Sequence, residues 1–143
     1  MAIDGEFVEK FEWAWQDPAA RFVELFHPDG RLYQQGMERP LGRDEIPGHI
    51  ATILTLLPDL RVEVKAWAVN NDDVFIEWNN HATFGDRPIS WDGASRFTLR
   101  DGLVTEEIAY FDTLPLRALV DPSLEQGSMF AAATDALAGH GAA

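Results

Sequence analysis

Few side chains in this sequence have the type and spacing that chemistry needs, and the most suggestive is one glutamate. Leu103 to Phe111 reads as a strand, so successive side chains fall on opposite faces. Glu107 then shares a face with Ala109 and Phe111. If that face lines a cavity, a carboxyl beside Phe111 with few cationic neighbours has its charged form disfavoured, and its pKa should rise above the ordinary ~4.3; at the sheet edge the carboxylate would instead lie in water. An acid tuned toward neutrality gives or takes a proton at cellular pH. Rival chemistries lack their motifs. His27, His49, His81 and His140 show no His-x-x-x-His or His-x-His spacing. There is no cysteine for a thiolate metal site or a disulfide. No Walker loop, Gly-x-Gly-x-x-Gly or Gly-x-Ser-x-Gly occurs. The sequence thus implies no metal and no cofactor. His49, between Ile46 and Ile53 on a predicted helix, reads as exposed or capped rather than catalytic.

The elements that must position Glu107 follow from periodicity. Ile3, Phe7, Val8, Phe11, Ala14 and Trp15 recur at spacings of three and four, which predicts an amphipathic helix over 3–16. Asp17-Pro18 ends it and starts a short second helix, with Phe22, Leu25 and Phe26 inward. Pro28-Asp29-Gly30 signals a turn, and Arg31 to Gln35 a short strand. A third helix runs from Asp44 to about Leu57, burying Ile46, Ile50, Ile53, Leu54 and Leu57. The period then changes to two. Val62, Val64, Ala66 and Ala68 alternate with Arg61, Glu63, Lys65 and Trp67. Strands Val74 to Phe84 and Ile89 to Arg100 follow. Asp101-Gly102 signals the hairpin into the last strand. Leu114 to Val120 forms a short helical turn. Helices first and a meander after them give an α+β class. Residues 1–120 form the domain, and 121–143 an Ala- and Gly-rich tail that docks as a helix through Met129 and Phe130 or stays loose.

A chain of 143 residues with 46% apolar and 11% aromatic side chains can fill a core and line a cavity as well. Its 24 acidic against 11 basic residues give a formal net charge of −13. Nucleic-acid binding relies on clustered Lys and Arg, so that partner is excluded. No apolar run approaches the ~20 residues of a membrane span, so no membrane partner is expected. Zero cysteine and no charged-then-apolar leader predict a cytoplasmic protein.

The stretch Phe97-Thr-Leu-Arg-Asp-Gly-Leu-Val-Thr-Glu-Glu-Ile-Ala-Tyr-Phe-Asp112 resembles the closing strands of the limonene epoxide hydrolases and the SnoaL-like polyketide cyclases. Leu32-Tyr33-Gln34-Gln35 is similar to the Tyr-Gln-Asn of that group, and Gly42-Arg43-Asp44 to its helix entry. The likeness runs from about Phe7 to Leu116. It implies the nuclear-transport-factor-2-like fold: a cone-shaped, strongly bent antiparallel sheet packed with three main helices around one pocket for a small apolar molecule. It also implies a homodimer through the outer sheet face, near Glu77, Asn79 and His81.

The resemblance carries the fold further than the chemistry. Tyr33 and Gln35 match the water-holding Tyr and Asn of the hydrolases, but their general-base Asp falls on Ala109, and their Arg-x-Asp pair on Trp78 and Asn80. Alanine takes no proton and an amide has no useful acidity, so neither step of that mechanism survives. The acid/base Asp of the cyclases also falls on Ala109. The base of the more distant ketosteroid isomerases falls near Gln34. The implied pocket is lined by Ile76, Trp78, Asn80, Trp91, Ala109 and Phe111, with Gln35 as a polar group and Leu116 and Leu124 closing it. Glu107 and Tyr33 are the expected catalytic pair, Glu107 moving protons while Tyr33 and Asn80 hold oxygen. The expected function is an isomerase, cyclase or dehydratase on an apolar metabolite. A binding or accessory domain that has lost its catalyst is the alternative, and an epoxide hydrolase the weaker one.

Overall fold

A computed structural model describes residues 3–124 and 129–141. The chain divides into two compact units, Met1–Asp112 and Thr113–Ala143. The first holds the sheet. Strands β1 (Phe26–Gln34), β2 (Leu41–Gly42), β3 (Arg61–Asn70), β4 (Asp73–Phe84), β5 (Arg87–Arg100) and β6 (Leu103–Phe111) lie in the order β2-β1-β6-β5-β4-β3. The α+β class is as expected, with one correction. The sheet is mixed, because β1 runs parallel to β6 while all other pairs are antiparallel. Tight hairpins cannot join parallel neighbours. Here the whole of β2 to β5 separates β1 from β6, so local turn signals carry no trace of the pairing.

Turn chemistry explains the three long hairpins. Asp101 and Gly102 adopt φ of 55° and 78°, Asn71 57° and Gly85 64°. Asp, Asn and Gly tolerate this left-handed region best. Register shifts interrupt β1 between Phe26 and Arg31 and β3 between Val64 and Ala66, and a third, opposite Thr98 and Leu99 of β5, leaves Thr105 of β6 as the extra residue. Such bulges bend and twist a strand. The first corrects the turn expected at Pro28-Asp29-Gly30, which lies inside β1. A Cβ on Gly30 would stand 2.6 Å from the Val104 carbonyl oxygen, so only glycine lets β1 approach β6 there. The second corrects the alternation expected in β3. Beyond it Trp67 and Val69 pair with Ile76 and Val74, and Ala66 and Ala68 with Glu77 and Phe75. The inward face therefore passes from the even to the odd positions.

Helix α1 (Ile3–Gln16) packs on the sheet against β3 and β4. Its buried stripe is Phe7, Val8, Phe11 and Ala14; the Ile3 side chain lies outside the described residues. Phe7 and Phe11 close on Phe97 of β5 with ring centroids 4.9 Å and 5.5 Å away. Trp15 continues the row to Phe22 at 5.1 Å, and Phe22 to Phe26 at 5.5 Å. Helix α2 (Pro18–Arg21) and a 3-10 turn over Phe22–Leu25 carry the chain into β1. Helix α3 (Ile46–Leu56) buries Ile46 and Ile50. Asp59, just after it, bonds the Thr83 amide and hydroxyl at 2.8 Å and 2.7 Å, tying the loop to β4. In the second unit, helix α4 (Leu114–Val120) carries Leu116, and helix α5 (Met129–Gly141) exposes Phe130 and Leu137. Within the tail, residues 129–141 are helical; the Met129 side chain is outside the described residues.

Phe97 is fully buried and meets two rings of α1. Truncating such a residue removes its transfer energy and leaves a cavity. Phe97→Ala is expected to cost about 3–5 kcal/mol of unfolding free energy, read from the urea midpoint at unchanged slope. A loss within about 0.5 kcal/mol, the range of a surface substitution, would contradict this account of the core.

Candidate functional site

Strand register brings the candidate residues to one sheet face. Glu107 of β6 pairs with Leu32 on one side and Phe97 on the other. Ala109 pairs with Gln34 and Ser95, and Phe111 with Gly93. On β4, Ile76, Trp78 and Asn80 pair with Ser95, Gly93 and Trp91. Directly paired residues share a face, so Ile76, Trp78, Asn80, Trp91, Glu107, Ala109 and Phe111 stand together. The Trp78 and Phe111 rings lie 5.9 Å apart. A side chain at position 93 would run into the six-membered ring of Trp78, with Cζ3 only 2.8 Å from an added Cβ. Glycine therefore makes the seat for this indole.

Tyr33 does not join them. It pairs with Ile108, one position out of phase with Leu32 and Gln34, so its side chain belongs to the opposite face. Gln35 lies just past the end of β1 and is exposed. Parallel pairing to β6 sets this phase, and it brings Gln34 to the Glu107 face instead. Leu116 lies on α4 of the second unit. His49, expected to be exposed or capped, is half-buried; its Nε2 has no hydrogen-bond partner, and burial lowers its pKa.

Glu107 is 5% exposed. Its Oε2 accepts a hydrogen bond of 2.9 Å from the Ser95 hydroxyl, and Ser95 Oγ accepts one of 3.1 Å from the Trp78 indole N–H. The three residues sit diagonally across β6, β5 and β4. Oε1 of Glu107 and Oδ1 of Asn80 are buried without a partner. Burial pushes the Glu107 carboxyl up to about 7, against a smaller downward pull from the Ser95 bond. A group with that pKa is poised for acid/base work near neutrality. Ser95 is the member that sequence reading missed. Its only signal is placement two residues after Gly93 on a strand whose face was already assigned. Among the described residues no group of three or more His, Asp and Glu is placed to hold a metal ion. No helix among them is long and apolar enough to cross a membrane.

The first unit is thus an α+β domain whose sheet carries aromatic rings and a buried acid on one face. The sequence matches the SnoaL-like domain family over residues 6–107, and the chain belongs to that family. No curated protein matches it. Solved structures share the fold at low identity. AclR from Streptomyces galilaeus, provisionally assigned as a hydroxylase, is 19% identical with a TM-score of 0.77, over 98% of this chain and 94% of that one. A Catenulispora acidiphila protein with a ketosteroid isomerase-like fold, solved with trimethylamine, is 20% identical with a TM-score of 0.71, over 78% and 88%. IdmH from Streptomyces antibioticus, provisionally assigned as a polyketide cyclase, is 18% identical with a TM-score of 0.69, over 81% and 96%.

The raised pKa has a thermodynamic consequence. The folded state holds the Glu107 proton up to about pH 7, whereas the unfolded chain releases it near 4.5. Between these values the native state binds more protons, so this group's contribution to stability falls as pH rises through the window and levels off above it. The full difference is on the order of 3 kcal/mol. Glu107→Gln, which cannot ionise, should match the native protein in stability near pH 4, below the unfolded pKa, and exceed it near pH 8. Urea unfolding at both pH values tests this. Parallel pH dependence in the two proteins would mean that Glu107 titrates normally.

Proposed function

We propose that this SnoaL-like protein is an enzyme acting on a small apolar metabolite by acid/base chemistry of the isomerase, cyclase or dehydratase kind, with Glu107 as the proton carrier. The observation that carries this reading is the unpartnered Oε1 of a buried carboxyl on the same face as Trp78, Trp91 and Phe111. Aromatic and apolar walls with few polar groups suit a ligand of that kind. Asn80, with its own unpartnered oxygen, orients a polar group of the ligand. Tyr33 has no part in this version, because it faces away.

A second reading is favoured by one specific observation. Ala109, where the resemblance puts the acid of the cyclases, is buried and inert. On that reading the domain binds its ligand without converting it. Epoxide hydrolysis is weaker still, since Trp78 and Asn80 also stand where that mechanism needs ionisable groups. Incubation of the protein with a metabolite extract, followed by identification of whatever is retained or converted, separates these readings. Glu107→Gln is expected to lower conversion at least about 10²-fold while ligand retention stays. Full conversion by the variant would remove Glu107 from the mechanism. Retention without conversion by the native protein would establish the binding domain.

The assembly we propose is a homodimer through the outer face of the sheet. Glu77, Asn79 and His81 lie there, with Phe75 and Tyr110 of the same face 41% and 48% exposed. Large apolar groups left on a sheet face favour a self-complementary contact. Light scattering at micromolar concentration should give twice the 16.0 kDa chain mass; a monomeric mass would overturn this.

A further inference from the structure

Hydrogen counting fixes the direction of the contacts around Glu107. An indole nitrogen only donates. Trp78 Nε1 lies 3.1 Å from Ser95 Oγ, so the serine oxygen is the acceptor in that contact. Ser95 has one hydroxyl proton, and Glu107 Oε2 lies 2.9 Å away on its other side. The described contacts give that proton no other acceptor, so it goes to Oε2. A proton on Oε2 itself would set two donors against each other, so the carboxylic acid is protonated on Oε1. The other oxygen is occupied, and Oε1 is the buried atom left unpartnered. Ser95 is 1% exposed and Trp78 6%, so water does not compete for these bonds. Trp78 is in turn held over Gly93, where no side chain fits beneath its ring.

We propose that Ser95 is a positioning residue which, held as a donor by the Trp78 indole, confines the exchangeable proton of Glu107 to Oε1 and so gives the acid a single working atom. The proposal rests on the reading of Glu107 as proton carrier, but its physical content is a one-way chain, Trp78 to Ser95 to Glu107. Ser95 relays no proton in it. When Oε1 loses its proton, the bond from Ser95 becomes charge-assisted and shortens. The serine oxygen then accepts more strongly from the indole.

The other groups near Glu107 on its face do not titrate. They are Leu32 and Gln34 from β1, Phe97 from β5 and Ile76 from β4, while α1 sets Phe7 and Phe11 on Phe97. Of the acidic groups of α1, Glu6, Glu9 and Glu12 are exposed, and the Asp4 side chain lies outside the described residues. His49 of α3 is half-buried and held below its ordinary range.

The test is the indole N–H resonance of Trp78 in a ¹⁵N spectrum, assigned by its loss in Trp78→Phe. In the native protein it should move downfield with a midpoint near the Glu107 pKa of about 7. The movement should vanish in Glu107→Gln and in Ser95→Ala. Ser95→Ala should also raise the midpoint of the Glu107 carboxyl itself, followed by its ¹³C shift, because the one bond favouring the charged form is gone. An indole resonance that is flat from about pH 5 to about pH 9 in the native protein overturns the proposal. So does a titration that survives Ser95→Ala. Where Trp78→Phe does not fold, ring contacts between Trp78 and Phe111 assign the resonance in the native protein, whose titration then decides the first point. Failure of the functional reading looks different. A titrating indole in a protein whose Glu107→Gln variant keeps full conversion leaves the chain standing and removes its catalytic use. A flat indole with conversion lost in Glu107→Gln does the reverse.

Discussion

The packing of Phe7 and Phe11 of α1 on Phe97 is the contact on which the rest depends. Phe97 and Glu107 are direct partners across β5 and β6, so the rings that cover one also keep water from the other. Leu32 of β1 closes the opposite flank. The carboxyl is buried as a side effect of building the core, and the sheet supplies one hydrogen bond to it and no cation. A paired carboxylate would sit comfortably as an anion. This one is held near the point where either form is tolerated. The cost is stability above neutral pH, a strain of the kind that functional sites store.

Much of this was legible in the sequence because strand periodicity is a strong signal. Glu107, Ala109 and Phe111 share a face by alternation alone, and Asp101-Gly102 marks the hairpin that sets β5 against β6. The failures have one physical root. Pairing between strands distant in sequence leaves no local mark. The parallel match of β1 to β6 fixes which of Tyr33 and Gln34 points inward, and nothing in Leu32-Tyr33-Gln34-Gln35 states it. The bulge after Val64 likewise flips the face of β3 without a glycine or proline to announce it. The bulge in β1 was announced, but Pro28-Asp29-Gly30 reads equally as a turn. His49 was misjudged for a different reason. A helix stripe of Ile46, Ile50 and Ile53 fixes the centre of the buried face, while the burial of its margin depends on what packs alongside.

Ser95 shows the limit most clearly. A serine on an antiparallel strand is unremarkable by type, and its role comes wholly from its diagonal neighbours. Ile76 and Ala109 pair with it directly, yet Trp78 and Glu107 bond to it from one step further along their strands. Such diagonal contacts are within reach of long side chains on a twisted sheet. Tryptophan and glutamate reach in from the two neighbouring strands, and the short serine between them makes both bonds. The glycine two residues earlier completes the arrangement, since a side chain there would displace the indole.

On the proposed function, the position of the acid bears on what the site can do. The resemblance puts the cyclase acid at Ala109, and here the ionisable group is two residues earlier on the same strand. A shift of two preserves the face, and it moves the carboxyl about 7 Å along the strand. That is more than the length of a six-membered ring's C–C bond by several-fold, so a ligand seated against Trp78 and Phe111 meets the acid at a different atom. On the proposed reading, the chain keeps the walls of the family pocket and relocates its proton donor toward Phe97 and Leu32, the most deeply buried flank. An acid in that place works without a charged partner and through one oxygen. Reactions that pass one proton to or from carbon or oxygen are within its reach, whereas activation of a water by several ionised groups is not. On the proposed reading, the site is therefore better matched to rearrangement or elimination of an apolar substrate than to hydrolysis.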